Sequence, residues 1–236
     1  MAQNVFRRVE KKYLMDEASY RTLMLRVRSE LVPDAFSTYT ICNIYYDTAD
    51  DALIRRSIEK PAYKEKLRLR SYGTPKPEDR VFLEIKKKYD GVVYKRRAEF
   101  ALQDAERYIR TGDHGNRNSQ ILHELDYFLS FYHPVPKLYL AYDREAYVGL
   151  TDRALRVTFD TSIRSRAEAL SLNAGDWGKE LLPEGYRVME VKTTTALPLW
   201  LVHALNGCKI YPISFSKYGN IYKVGLLEER SVRACV

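Results

Sequence analysis

The chain has 236 residues, 45% hydrophobic and 30% charged. That is enough for one large β domain or two small ones, and too ordinary for a disordered tail, a collagen or a disulfide scaffold. Lysine plus arginine (39) exceed aspartate plus glutamate (31), a net charge of +8 that implies an anionic partner.

No stretch approaches the roughly 18 apolar residues of a membrane-spanning helix, and MAQNVFRRVEKKY carries charge where a signal peptide is apolar. A cytoplasmic protein is the expectation. Cys42, Cys208 and Cys235 are odd in number and far apart, so they read as buried or incidental thiols.

In chain order, VFRRVEKKYL (5–14) reads as a strand with Arg8, Glu10 and Lys12 on one face and Val9, Lys11 and Tyr13 on the other. Asp16 caps a helix over 17–31, whose Tyr20, Leu23, Met24 and Val27 form a buried stripe, and Pro33 and Asp34 end it. TYTICNIYYDT is a second strand, followed by a turn or two of helix in DDALIRRSIEK.

AYKEKLRLRSYG, RVFLEIKKKY and VVYKRRAEFAL then form an antiparallel meander, divided by GTPKPED and by the hairpin signal Asp90-Gly91. Lys66, Arg68 and Arg70 share one strand face, with Leu67 and Leu69 opposite. Glu84, Lys86 and Lys88 oppose Leu83 and Ile85 in the same way.

Residues 103–131 have helical period on both sides of TGDHGNRN, which predicts a helical hairpin between strands. KLYLAYDREAYVGL, LRVTFDTSIRSRAEAL and YRVMEVKTT return to strand period and carry Arg144, Arg156 with Asp160, and Glu190 with Lys192. A nearly all-apolar helix, LPLWLVHALNG, leads to SFSKYGNIY, read as an irregular segment bearing Lys217. No boundary or repeat divides the chain, so residues 1–236 are expected to form one domain.

Any one such strand is an ordinary half-exposed strand. Six or seven with mainly cationic faces would give an open sheet a very large positive field. Closed into a barrel of about eight strands, the same faces line a lumen wide enough for one ligand. The ligand implied is a polyanion, and Glu10, Glu84 and Glu190 among the cations suit magnesium or manganese held jointly with phosphate oxygens.

Nucleic acid is the competing polyanion. It fits poorly, because the tyrosines do not interleave with the bases of LRLR and EIKKK and no RNA-recognition motif is present. Nor is there a GxxxxGKS or GxGxxG loop, so a nucleotide would be held by side chains. His114, His123, His133 and His203 have no metal-binding spacing, and no nucleophile arrangement stands out.

The ordered set RVEKKY, NIYYDT, KLRLRSYG, FLEIKKK, DREAY, MEVKT and SFSKYG resembles the VTC (vacuolar transporter chaperone) domain family of the triphosphate tunnel metalloenzyme, or CYTH-like, superfamily, over about residues 4–223. The resemblance implies an α+β fold, an antiparallel eight-stranded β-barrel tunnel with flanking helices. It further implies a polyphosphate polymerase that transfers the γ-phosphate of ATP to a growing chain with Mn2+ or Mg2+.

By that resemblance Lys66, Arg68, Arg70, Lys86, Arg144 and Lys217 match phosphate-binding positions at which transfer occurs, and Lys12 matches the first-strand lysine. Glu190 matches the metal-binding glutamate, with Glu10 and Glu84 as further metal candidates. Arg8, Lys88, Lys95, Arg97, Arg156 and Lys192 are candidates for holding substrate. Where hydrolytic relatives open with ExExK, this chain has Arg8, Glu10 and Lys12, a cation in place of the first acid. That departure favours chain synthesis.

The SPX domain and membrane segments of the eukaryotic enzymes are absent from the sequence, so a stand-alone domain or a complex with a separate membrane protein is expected. Two other functions use the same tunnel: hydrolysis of tripolyphosphate or a nucleoside triphosphate, and polyphosphate binding without turnover.

Overall fold

The computed structural model describes residues 5–6, 9–90, 92–194 and 196–234, with side chains between 9 and 225. Arg8, Gly91 and Cys235 lie outside the described residues. The elements run β1 (Val5–Phe6), β2 (Val9–Met15), α1 (Glu17–Val27), β3 (Leu31–Asp47), α2 (Ala52–Ile58), β4 (Tyr63–Tyr72), β5 (Arg80–Tyr89) and β6 (Val92–Ala101). Then come α3 (Leu102–Thr111), α4 (Gln120–Tyr132), β7 (Val135–Gly149), β8 (Arg156–Arg166), β9 (Lys179–Glu180), β10 (Arg187–Thr193), α5 (Leu199–Gly207), β11 (Pro212–Ile213) and α6 (Lys217–Ala234).

All strands belong to one antiparallel sheet in the order β1-β6-β5-β4-β3-β7-β8-β10-β2-β11, with β9 beside β8. Three of them (β1, β9 and β11) have only 2 residues; the remaining eight are the long strands of the expected barrel. Among the described residues the ladder has two free ends and does not close by hydrogen bonds.

Its ends nonetheless meet. Phe6 pairs with β6 at one edge and Val9 with β10 at the other, and three Cα steps span at most about 11 Å. The sheet is therefore rolled until its first and last walls adjoin.

Alternation decides which face lies inside. Leu67, Leu69, Leu83, Ile85, Cys42, Ile44, Tyr139 and Ala141 point outward and pack with Tyr108 of α3 and Leu125 and Phe128 of α4. On the other flank Tyr13, Met15, Val157, Phe159, Met189 and Val191 meet Leu23 and Val27 of α1 and Leu201 and Leu205 of α5. The helices thus cover the apolar outside and leave the charged face to the lumen. A third cluster fills one stretch of that lumen: Leu138, Leu140 and Val188 with Phe215 and Tyr218 from the chain around the start of α6.

Two boundaries differ from the sequence reading. Asp16 does cap α1, accepting from the Ser19 N–H at 2.8 Å, but the helix stops at Val27, four residues short of the expected 31. Pro33 and Asp34 do not end a helix; they lie in β3 beside a register shift between Pro33 and Thr38, where a strand can accommodate a proline. The SFSKYGNIY segment is not irregular either. Lys217 opens the 18-residue helix α6, whose apolar Tyr218 and Ile221 pack inside the sheet. No described helix is long and apolar enough to cross a membrane.

Candidate functional site in the tunnel

Three groups of charge line the lumen. The first surrounds Glu84 on β5, whose side chain is 1% exposed. Arg68 Nε reaches it at 2.7 Å and Arg70 Nε at 3.9 Å from β4; Lys95 Nζ at 2.7 Å and an Arg97 nitrogen at 2.5 Å come from β6. The register imposes this meeting, since Glu84 lies directly between Arg68 and Arg97 across its two ladders. Burial would raise the Glu84 pKa, but the four cations hold it well below the carboxylate range.

The second group surrounds Asp160 on β8, fully buried. Arg144 of β7 holds it bidentately at 2.6 and 2.8 Å, and Lys217 Nζ donates to it at 2.5 Å. Burial lowers the affinity of Lys217 for its proton, yet the adjacent carboxylate leaves its pKa raised overall. A cation in the first turn of a helix opposes the helix dipole, and Asp160 offsets that cost.

The third group lies where β2 and β10 pair, with Glu190 opposite Lys12 and Lys192 opposite Glu10. Lys192 Nζ is 2.8 Å from Glu190, Lys12 Nζ is 3.6 Å from Glu10, and Arg144 links to the second group at 3.9 Å from Glu190. Glu10 and Glu190 are diagonal neighbours on the paired strands. Burial raises the Glu190 pKa, and the Lys192, Lys12 and Arg144 cations pull it well below the usual range.

Lys86 projects into the open lumen from β5 and feels Glu10, Lys12, Glu190 and Lys192 on the far wall, which brings the first and third groups face to face. Burial lowers its pKa, as it lowers that of Lys66 to about 8 and that of Lys95 to about 7.

Lys66, Arg68, Arg70, Lys86, Arg144, Lys217, Lys12, Lys95, Arg97, Lys192, Glu10, Glu84 and Glu190 therefore share one lumen, with Glu84, a metal candidate in the sequence, enclosed by four cations. Two others do not join them. Lys88 sits at the end of β5 opposite Lys64, and Arg156 stays at one mouth, bonded to Asp34 at 2.9 Å and to the Tyr39 hydroxyl at 3.3 Å. A separate cleft of about 870 Å³ between the helical hairpin and β7, lined in part by Glu106, Arg110 and His133, is on the outer face.

The model of the VTC domain family matches residues 7–225. The chain belongs to the VTC domain family. Comparison with curated protein sequences gives no match. Among solved structures, this VTC domain resembles a candidate adenylate cyclase from Bacillus halodurans (TM-score 0.55, 14% identity, covering 91% of this chain and 96% of that one). It also resembles a candidate adenylyl cyclase from Hippeastrum with a dominant triphosphatase activity (TM-score 0.56, 15% identity, covering 94% and 96%). At these identities the likeness is one of fold.

The VTC tunnel also contains polar residues that the sequence reading did not place in the site. Arg70 Nε donates to the Asn43 side-chain oxygen at 3.0 Å, and its guanidinium reaches the Tyr142 hydroxyl at 3.4 Å. Arg68 donates to the Tyr45 hydroxyl at 3.4 Å. Burial would raise the Tyr45 pKa, but Arg68 and Lys66 bring it down to about 8. These tyrosines reach the basic residues from the neighbouring strands β3 and β7. Alternation through NIYYD and LAYDR, extended from Arg68 and Arg144, is the signal that finds them.

Among the described residues no three metal-ligating side chains cluster. Two features of the VTC site still suit a divalent ion held jointly with phosphate. Glu10 and Glu190 lie on paired strands within a cationic wall, and Thr158, directly opposite Glu190 on β8 and 2% exposed, has a buried hydroxyl with no hydrogen-bond partner. An orphaned hydroxyl beside a carboxylate is where a bound group would supply the missing contact.

Proposed function

We propose that this protein is a metal-dependent polyphosphate polymerase, moving the γ-phosphate of ATP onto a growing polyphosphate chain. The observation that carries the reading is the convergence of cations from opposite walls, each set oriented by its own buried acid, on a lumen shaped for a linear polyanion. Phosphoryl transfer needs little covalent help from a protein; it needs in-line placement and neutralised charge.

In this reading a terminal oxygen of the acceptor chain attacks the γ-phosphorus, the bond to the β–γ bridging oxygen breaks, and ADP leaves. Arg68 and Arg70, with guanidinium groups fixed by Glu84, Asn43 and Tyr45, grip the donor phosphates. Arg144 and Lys217, fixed by Asp160, hold the facing phosphates, and Lys12, Lys66 and Lys86 screen donor from acceptor. Two polyanions in line repel strongly at a few ångströms, which makes this screening the main work of the site. Glu10 and Glu190 are the residues that would hold Mn2+ or Mg2+, with Thr158 alongside. A bound ion would supply further positive charge against the phosphates.

Synthesis is preferred over hydrolysis because Arg8 stands where hydrolytic relatives carry an acid, which removes a ligand for a second ion and adds a cation for the acceptor. The test is incubation of the purified protein with ATP and manganese, with gel analysis for long-chain polyphosphate beside a free-phosphate assay. Long chains are expected. Free phosphate alone would leave hydrolysis as the function, and binding without turnover would leave a polyphosphate-binding module.

A further inference from the structure

Tyr72 ends β4 two residues beyond Arg70, on the same face, and is 51% exposed at the tunnel mouth. Its ring is held between two perpendicular aromatic neighbours, Tyr39 at 5.4 Å and Phe82 at 5.8 Å. Arg97 lies 4.4 Å from the Phe82 ring on one flank. On the other, Arg156 bonds to the Tyr39 hydroxyl, and its Nε–H is buried without any partner. An exposed aromatic at a strand end is unremarkable alone. A rigidly oriented one, beside an unused donor and one step from the phosphate-gripping arginines, is more specific.

We infer that Tyr72, backed by Tyr39 and Phe82, is a platform on which the base of a nucleoside triphosphate stacks while its phosphates lie in the tunnel. The inference rests on the tunnel being the phosphate site. Two residues of strand advance about 7 Å, which carries the ligand from the Arg70 guanidinium outward by about the reach of a ribose. The other stretch of lumen cannot take a base, because Leu138, Leu140, Val188, Phe215 and Tyr218 fill it. The bulky end of a nucleotide is therefore directed to the Tyr72 mouth. Base stacking on an aromatic ring tolerates any base, so the platform selects nucleotide over linear phosphate more than one nucleotide over another.

The experiment is titration calorimetry of the full chain with two probes, ATP and tripolyphosphate, for wild type, Tyr72→Leu and Tyr72→Phe. Tyr72→Leu should weaken ATP at least fivefold, the lower end of what base stacking contributes, and leave tripolyphosphate within twofold; Tyr72→Phe should keep the wild-type affinity for ATP. Equal weakening of both probes, or no weakening of either, overturns the platform while tripolyphosphate binding by the wild type keeps the tunnel reading intact. Wild-type protein that binds neither probe overturns both.

Discussion

Replacing Glu84 by glutamine separates two roles that a carboxylate in this lumen could play. The change keeps size and one acceptor oxygen but removes the charge that faces Arg68, Arg70, Lys95 and Arg97. Removing one partner of a buried ion pair costs about 3–5 kcal/mol, because the remaining charge is left uncompensated. The partners here open partly onto lumen water, with side-chain exposures of 21% for Arg68 and 30% for Lys95, so the low end, about 3 kcal/mol, applies. For a chain of this length each kcal/mol lowers the melting temperature by about 2–4 °C, giving a fall of roughly 6–12 °C. Tripolyphosphate should then raise the melting temperature of Glu84→Gln more than that of the wild type, since its oxygens replace the lost anion. Differential scanning calorimetry with and without tripolyphosphate reads both effects. A fall below about 2 °C, combined with lost manganese affinity, would refute the argument and make Glu84 a metal ligand.

Three further outcomes are expected. Glu190→Gln should abolish the manganese dependence of turnover while polyphosphate binds as well or more tightly, because one negative charge leaves a basic wall; fluorescence titration with polyphosphate checks it. Asn43→Ala, which frees the buried Arg70 guanidinium of its 3.0 Å anchor, should lower turnover roughly tenfold at saturating ATP with a circular dichroism spectrum like that of the wild type. With Lys66 and Lys95 lowered to about 8 and about 7 in the free protein, a bound polyanion raises both toward their ordinary 10.4, so binding takes up protons and affinity falls as pH rises from about 7 to 10. Stability of the free protein has the opposite slope, rising over that window because the unfolded chain binds more protons there than the folded one. Calorimetry in buffers of different ionisation enthalpy would count the protons, and a pH-independent affinity would contradict the assigned burial of these lysines.

Strand alternation made the inward face of β4 and β5 legible, because Leu67, Leu69, Leu83 and Ile85 could only be core and their neighbours could only face the other way. The family resemblance then assigned Arg144, Glu190 and Lys217 from short motifs. Hidden from a linear reading was which charge meets which. Asp160 was visible on its strand, but its bond to Lys217 spans 57 positions of sequence and joins a strand to a helix start. The end of α1 was misplaced because apolar periodicity continues to Leu31, a residue that β3 takes instead. Tyr45 and Tyr142 are invisible along the basic strands themselves, because a barrel brings them to Arg68 and Arg70 across strands.

The route by which the sheet rolls up has a consequence for assembly. The strands from β3 to β6 pair with sequence neighbours and can zip together as soon as they exist, whereas Val9–Met15 finds its partners only in Arg187–Thr193 and Pro212–Ile213. Such distant pairing carries a large loop-closure cost and is slow. Val9–Met15 is thus the last long strand to be seated. Until residues near 190 arrive, the sheet is an open trough with Arg68, Arg70 and Lys86 facing water, and any polyanion in the vicinity can lie along it before the wall is complete.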